Sequence, residues 1–289
     1  MGTRKAQMID PSTIQSLKNF EWISKILAKG FMQGKHSSGR LGQGMEFQQY
    51  RNYLPGDDIR NIDWKMFAKT EKLYIKQSII ETEHHYHFII DNSRSMLYEE
   101  NGWSKLMLAK ILTSSMMRIV ANQGDRFSWQ ASEENMPRGS GMKHWHYAIE
   151  KLYNLTTSTT SLNLHPGFLR NATIIYMSDF YDQIEVLQSQ FKLLKNPLTE
   201  VVLFHILGTK EKSLTFGRNT TFLDLESGEK LNVNAVATQS QYQKRLLAHL
   251  NALNNICLAL GIHLEECLMN RSITECLRQF FHVYQQNNA

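Results

Sequence analysis

The chain has 289 residues, 42% of them hydrophobic and 20% charged, with a net charge of +5. That balance excludes wholesale disorder, and the scattered basic residues, with no run of five or six, argue against a nucleic-acid face. No apolar run approaches the length of a membrane span, and the N-terminus "MGTRKAQMIDPSTIQ" carries neither a secretory h-region nor a completed myristoylation signal, so a soluble, cytoplasmic protein is expected.

Residues 12–29 space Leu17, Phe20, Ile23 and Leu27 as a helix, with Gly30 as its stop. A Gly/Ser-rich stretch, "GKHSSGRLGQG", follows. The next segment runs to residue 83 and contains a turn at Pro55-Gly56 with Asp57 after it, then a strand in "KLYIKQSII". From residue 84 strands and helices alternate. "HHYHFII", "RFSWQA", "ATIIYMS", "TEVVLFHIL" and "IHLEECL" read as strands. "SKLMLAKILTSSMMRIVANQG", "HWHYAIEKLYNL", "QIEVLQSQFKLLK", "YQKRLLAHLNALNNICLALG" and "SITECLRQFFHVY" read as helices, and "TTFLDLESGEKLNV" as a hairpin turning at Ser227-Gly228. Short apolar strands alternating with helices predict an α/β fold with a mostly parallel central sheet covered on both faces. The composition shift near residue 80 divides the chain into 1–80, packed on the body, and 81–289, the α/β domain. Three cysteines, Cys257, Cys267 and Cys276, lie in apolar C-terminal segments without a C-x-x-C pair and are expected as buried thiols.

The chemistry concentrates where strands end. "HFIIDNSRSM" packs Asp91, Ser93 and Ser95 into five positions just past an apolar strand. Open parallel sheets bind ligands at the carboxyl ends of their strands, and a carboxylate with two hydroxyls offers the hard oxygen donors that Mg²⁺ takes together with several waters. A second apolar strand, "ATIIYMS", delivers Asp179 to the same end of the sheet. Asp and Ser are also ordinary turn and capping residues, so the loop by itself reads first as a turn, and Asp179 at the second strand end brings the site reading level with it.

Other groupings are weaker. In "PGDDIRNIDW", Asp57, Asp58, Arg60 and Asp63 sit around a turn with Arg51 and Lys65 nearby, and read as a geometry-fixing network before they read as a docking surface. In "HHYH", His85 and His87 share one strand face and His84 the other, two short of a zinc site. Ser93 lacks a G-x-S-x-G elbow. Asp91 as a phosphoryl acceptor, in the manner of haloacid-dehalogenase-like phosphatases, would lack its second acid, because Ser93 stands there. "GRLGQGME" lacks the G-K-[ST] ending of a Walker A loop.

Two stretches carry a family resemblance. "DNSRSM" with the downstream "YMSDF" resembles the metal-ion-dependent adhesion site of von Willebrand factor type A domains. "GQGMEFQQYRNYLPGDDIRNIDWKMFAKTEKLYIKQ" resembles the signature of the bacterial domain-of-unknown-function-58 family, matching at Gly42, Gly44, Glu46, Phe47, Arg51, Tyr53, Pro55 to Asp58, Arg60, Ile62, Asp63, Trp64 and Ala68. "FLDLESG", Tyr242 and Gly261-Ile262 resemble its later landmarks, so the likeness spans residues 30–283 or so. It implies a Rossmann-like von Willebrand A sandwich with an N-terminal extension, and a non-catalytic, metal-dependent interaction module, an adapter for a MoxR-type AAA+ ATPase. By position, Ser93 and Ser95 would ligate Mg²⁺ (or Mn²⁺) directly, with Asp91 and Asp179 acting through waters. The pattern takes a threonine from a third loop in a Gly-Gly-Thr segment. Here "LTTSTTSLNLHPGFLR" lacks that glycine pair, and Thr160 is the best match, with Thr159 and Ser161 as rivals. A phosphohydrolase using Asp91 and a scaffold with a degenerate metal site are the alternatives.

Overall fold

The computed structural model describes residues 14, 16–33, 47–55, 57–59, 62–78, 84–164, 172–213, 219–223 and 230–278. The expectations at Gly42, Gly44, Glu46, Gly56, Arg60, Pro166-Gly167 and the Ser227-Gly228 turn lie outside them. The chain separates into two compact units, Met1–Lys35 with His84–Ala289, and His36–Glu83. The N-terminal helix therefore belongs with the α/β unit, which differs from the expected division at residue 80.

Helix α1, Leu17–Gln33, buries Phe20, Ile23 and Leu27 as its spacing predicts. It runs through Gly30 rather than stopping there. A Cβ at Gly30 would meet nothing within 4 Å; glycine inside a helix costs only about 1 kcal/mol, too little to force a stop.

In the smaller unit, β1 (Phe47–Asn52) pairs antiparallel with β2 (Tyr74–Ser78) around α2 (Trp64–Thr70). The expected turn is closed by Asp57, whose carboxylate accepts from Leu54 N at 2.8 Å while its own N–H donates to the Leu54 carbonyl. Asp63 caps α2, accepting from Lys65 N and Met66 N. Turn and cap chemistry thus uses two of the signature acids.

The larger unit is built on a six-stranded sheet. Its first strand, β3 (His85–Ile90), is followed by a 3-10 turn at Arg94–Leu97 and a small hairpin, β4 (Glu99–Glu100) and β5 (Trp103–Ser104). Asn101 and Gly102 both have positive φ, 53° and 78°, the backbone of a two-residue primed turn. Next come α3 (Lys105–Gln123), β6 (Arg126–Gln130), β7 (Asn135–Ser140), α4 (Gly141–Asn154), β8 (Ala172–Ser178), α5 (Ile184–Leu194), β9 (Thr199–Leu207) and α6 (Thr209–Ser213). The antiparallel hairpin β10 (Asn219–Leu223) and β11 (Lys230–Asn234), then α7 (Ala235–Leu260) and β12 (His263–Leu268), complete the series, with helical backbone again over 273–278. Ser104 caps α3 by accepting from Met107 N, and Gly124 ends it at φ 85°.

The strand order is β12-β9-β8-β3-β6-β7, parallel throughout except that edge strand β7 runs antiparallel to β6. Alternation distributes the apolar runs over two cores. Phe88, Ile90, Ile175 and Met177 join α1, α3 and α4 on one face; Ile89, Ile174 and Tyr176 join α5 and α7 on the other. Burial on both faces is why β3 and β8 read as continuous apolar runs. Cys267 and Cys276, expected as free thiols, are a disulfide pair with Cα atoms 5.9 Å apart, and only Cys257 is a free buried thiol. The strand–turn geometry that brings them together is invisible in their nine-residue spacing.

Candidate functional site

Strands β3 and β8 are central neighbours, and both end at the same edge of the sheet. Asp91 follows β3 directly, and its N–H continues the ladder by donating to the Met177 carbonyl at 2.9 Å. One carboxylate oxygen accepts from Ser93 N at 2.8 Å, which turns the chain, and the other accepts from Ser178 Oγ at 2.5 Å. Ser93 and Ser95 bring their hydroxyls within 3.0 Å of each other. The structure therefore gathers three of the expected residues into one oxygen-rich loop. Burial, and next the Asp179 charge, push the Asp91 carboxyl above its ordinary range, against the hydrogen bonds from Ser178 and Ser93.

Ser178 was not foreseen. It donates to Asp91 and accepts from Phe180 N at 2.9 Å, linking the two strand-end loops. Phe180 sits at φ 47° with its ring buried among Tyr176, Phe191 and His205. A left-handed phenylalanine costs energy that its surroundings must offset; here they supply the Ser178 bond and a contact from His249 Nε2 to its carbonyl at 2.8 Å.

Asp179, 2% exposed, is held on the far side of this link. Its Oδ2 accepts from Lys105 Nζ at 3.0 Å. Lys105 is itself fully buried and also donates to Glu211 Oε1 at 2.9 Å, with the Tyr98 and Tyr181 rings 5.1 and 4.8 Å from its ammonium. Glu211 folds back from α6, its other oxygen accepting from Gly208 N at 2.7 Å. A Cβ at Gly208 would lie 2.5 Å from Tyr98 and 2.6 Å from Glu211, so only glycine admits this approach. His205, buried at the end of β9, leaves Nε2 without a protein partner, and burial lowers its pKa to about 4.

Thr160 is arranged differently. Its side chain is exposed and its hydroxyl donates to Glu133 on the β6–β7 turn, not to Ser93 or Ser95. Its loop is nevertheless tied to the site by Asn92, whose carbonyl accepts from Ser158 N and whose amide donates to the Thr156 carbonyl, both at 2.8 Å. The Asn92 side-chain oxygen also accepts from Ser132 N and Oγ.

The donor set suits a hard cation in part. Asp91, Ser93 and Ser95 converge, and beside them two carboxylates, Asp179 and Glu211, share one ammonium, Lys105. Thr160 and one oxygen of Asp179 are engaged elsewhere. Among the described residues no group of three or more His, Cys, Asp or Glu is placed to hold a metal, so an ion here would depend on the hydroxyls.

A parallel sheet in this order, with an Asp-x-Ser-x-Ser loop after one central strand and an aspartate after its neighbour, defines a von Willebrand A-type α/β domain. The family described as "Protein of unknown function DUF58" matches residues 49–252, and the chain belongs to that family. Uncharacterized proteins of Mycobacterium bovis and Mycobacterium tuberculosis are each 22% identical to it over 232 residues, 76% of this chain and 73% of theirs. Among solved structures, BatB from Bacteroides thetaiotaomicron is 12% identical, covering 70% of this chain and 99% of its own, with a TM-score of 0.43. The SpRpn10 VWA domain is 11% identical over 69% of this chain and 95% of its own, with a TM-score of 0.39. At such scores the sheet order defines the class, not the likeness.

Proposed function

We propose that the chain is a non-catalytic protein-interaction module that recognises its partner at the strand-end rim. Ser93 and Ser95 would hold a Mg²⁺ or Mn²⁺ ion directly, with Asp91 and Asp179 acting through waters. Such an ion, weakly neutralised by one carboxylate and two hydroxyls, supplies affinity for an acidic side chain of the partner. The observation that carries this reading is the convergence of the two serine hydroxyls beside the buried Asp91 carboxylate, which also faces the Asp179 charge. Membership of the family supports a MoxR-type AAA+ ATPase as the partner to test first, which would place the module where ATP is, in the cytoplasm. The phosphohydrolase alternative is less well supported, because the second acid such chemistry needs is replaced by Ser93.

Calorimetric titration of Mg²⁺ and Mn²⁺ into the full chain and into Asp91→Ala checks the metal. The expected outcome is weak binding to the natural chain, in the millimolar to high micromolar range, and none to the variant. A natural chain that takes up no ion at millimolar metal leaves the degenerate scaffold as the reading.

A further inference from the structure

The pattern that points to a metal assigns Asp179 to it, yet Asp179 already has a cation. Lys105 opens α3 immediately after its cap Ser104, so the helix start fixes where the ammonium goes. From there Nζ reaches Asp179 at the end of β8 and Glu211 on α6, closing an ion pair and its extension at 3.0 and 2.9 Å. An ammonium taken fully out of water is tolerated only when its hydrogen bonds are made and its charge is answered. Two carboxylates and the faces of Tyr98 and Tyr181 meet that need.

We propose that Lys105 is the built-in cation of this site. Its ammonium performs, at the Asp179 half, the charge neutralisation that a divalent ion would otherwise perform. The rim is therefore preorganised without metal, and an ion is left with Asp91, Ser93 and Ser95 alone. Lys105 is a positioning and specificity-determining residue: it keeps the site weak and selects against capture of a cation by the Asp179 and Glu211 carboxylates. This inference rests on the strand-end reading of the site proposed above, but it concerns Asp179 and Glu211, not the serines, and its readout is separate.

The test is thermal melting and Mn²⁺ titration of the full chain, with Lys105→Met and with the double variant Lys105→Met/Asp179→Asn. The natural chain is expected to melt at the same temperature in EDTA and in millimolar Mn²⁺, within a degree or two. Lys105→Met leaves Asp179 and Glu211 unanswered; it melts lower in EDTA, recovers with Mn²⁺, and binds Mn²⁺ about tenfold or more tighter than the natural chain, as expected when like charges lose their neutraliser. The double variant loses that gain. If Lys105→Met does not fold in EDTA, recovery of a cooperative melt on adding Mn²⁺ is the same positive result. No tightening and no recovery in Lys105→Met overturns the proposal, as does a natural chain whose cooperative melt is lost on chelation. A natural chain that binds no Mn²⁺ sinks the metal reading of the serine loop and leaves the Lys105→Met comparison to decide this one.

Discussion

His85 and His87 share one hydroxyl. Ser128 Oγ lies 2.8 Å from His85 Nε2 and 2.7 Å from His87 Nδ1, so with both rings neutral it donates to one and accepts from the other. Burial pushes His85 down to about 3, helped by the charge of Arg138, and burial pushes His87 down to about 4 against the bond from Gln130. In the unfolded chain both return to about 6.5. Between that value and the folded ones the unfolded chain binds more protons, so stability is complete above about pH 6.5 and is lost as pH falls toward 4, by at most about 1.4 kcal/mol per pH unit for each ring. Urea unfolding across that range should show the slope, and His87→Gln, which keeps a polar group but cannot titrate, should flatten it. An equal slope in the variant would place the acid sensitivity elsewhere. Residues of this kind divide sharply in what the sequence reveals. Asp91, Ser93, Ser95 and Asp179 were legible because strand-end position is a local property. Lys105, Ser178 and Asn92 were not, since each acts through partners 40 to 106 positions away. Lys105 in particular reads as an ordinary charged residue at a helix start, and nothing nearby announces that Glu211 will come to it.

At the scale of elements, the strands buried on both faces and the long helices were readable from apolar runs and caps, though α1 runs on past Gly30 and α7 begins at Ala235, ahead of the expected Tyr242. The elements missed are of a different kind. β7, "NMPRGS", is mostly exposed at the sheet edge and has no apolar pattern to detect. β1 carries four polar residues in six. The β4–β5 hairpin did leave a signal, Asn101-Gly102 between two paired residues, which is the preferred sequence of its turn. What the element list omits is how the loops are joined. Asn92 is 2% exposed and binds the β6–β7 turn and the 155–164 loop to the end of β3. Asn92→Ala should leave the Thr156 carbonyl and Ser132 N–H without those partners, at about 1–3 kcal/mol. The sheet remains, so hydrogen exchange should quicken in the two loops and not in β3 or β8. Uniform acceleration through the sheet would show that Asn92 supports the core and not the rim.

For the molecule as a whole, the larger unit has a full core on each face of its sheet, and no helix among the described residues is long and apolar enough to cross a membrane. The unit His36–Glu83 is built on other terms. Ile62 and Ile75, which face each other across a bridge, are buried, while Leu54, Ile59 and Trp64 are more than half exposed. Its order comes from local devices: the Asp57 turn, the Asp63 cap, and a left-handed C-cap at Glu71. Caps and turns contribute about 1 kcal/mol each, little against the entropy of ordering the backbone of a unit this small. A peptide of residues 36–83 is therefore expected to give no cooperative thermal transition by circular dichroism and a Trp64 fluorescence maximum typical of water. A sharp, reversible transition in the peptide would make it a domain in its own right, and the family signature it carries would then have to be explained by what that domain binds. Its absence makes the signature a property of the whole chain, in which Asp57 and Asp63 act as turn and cap.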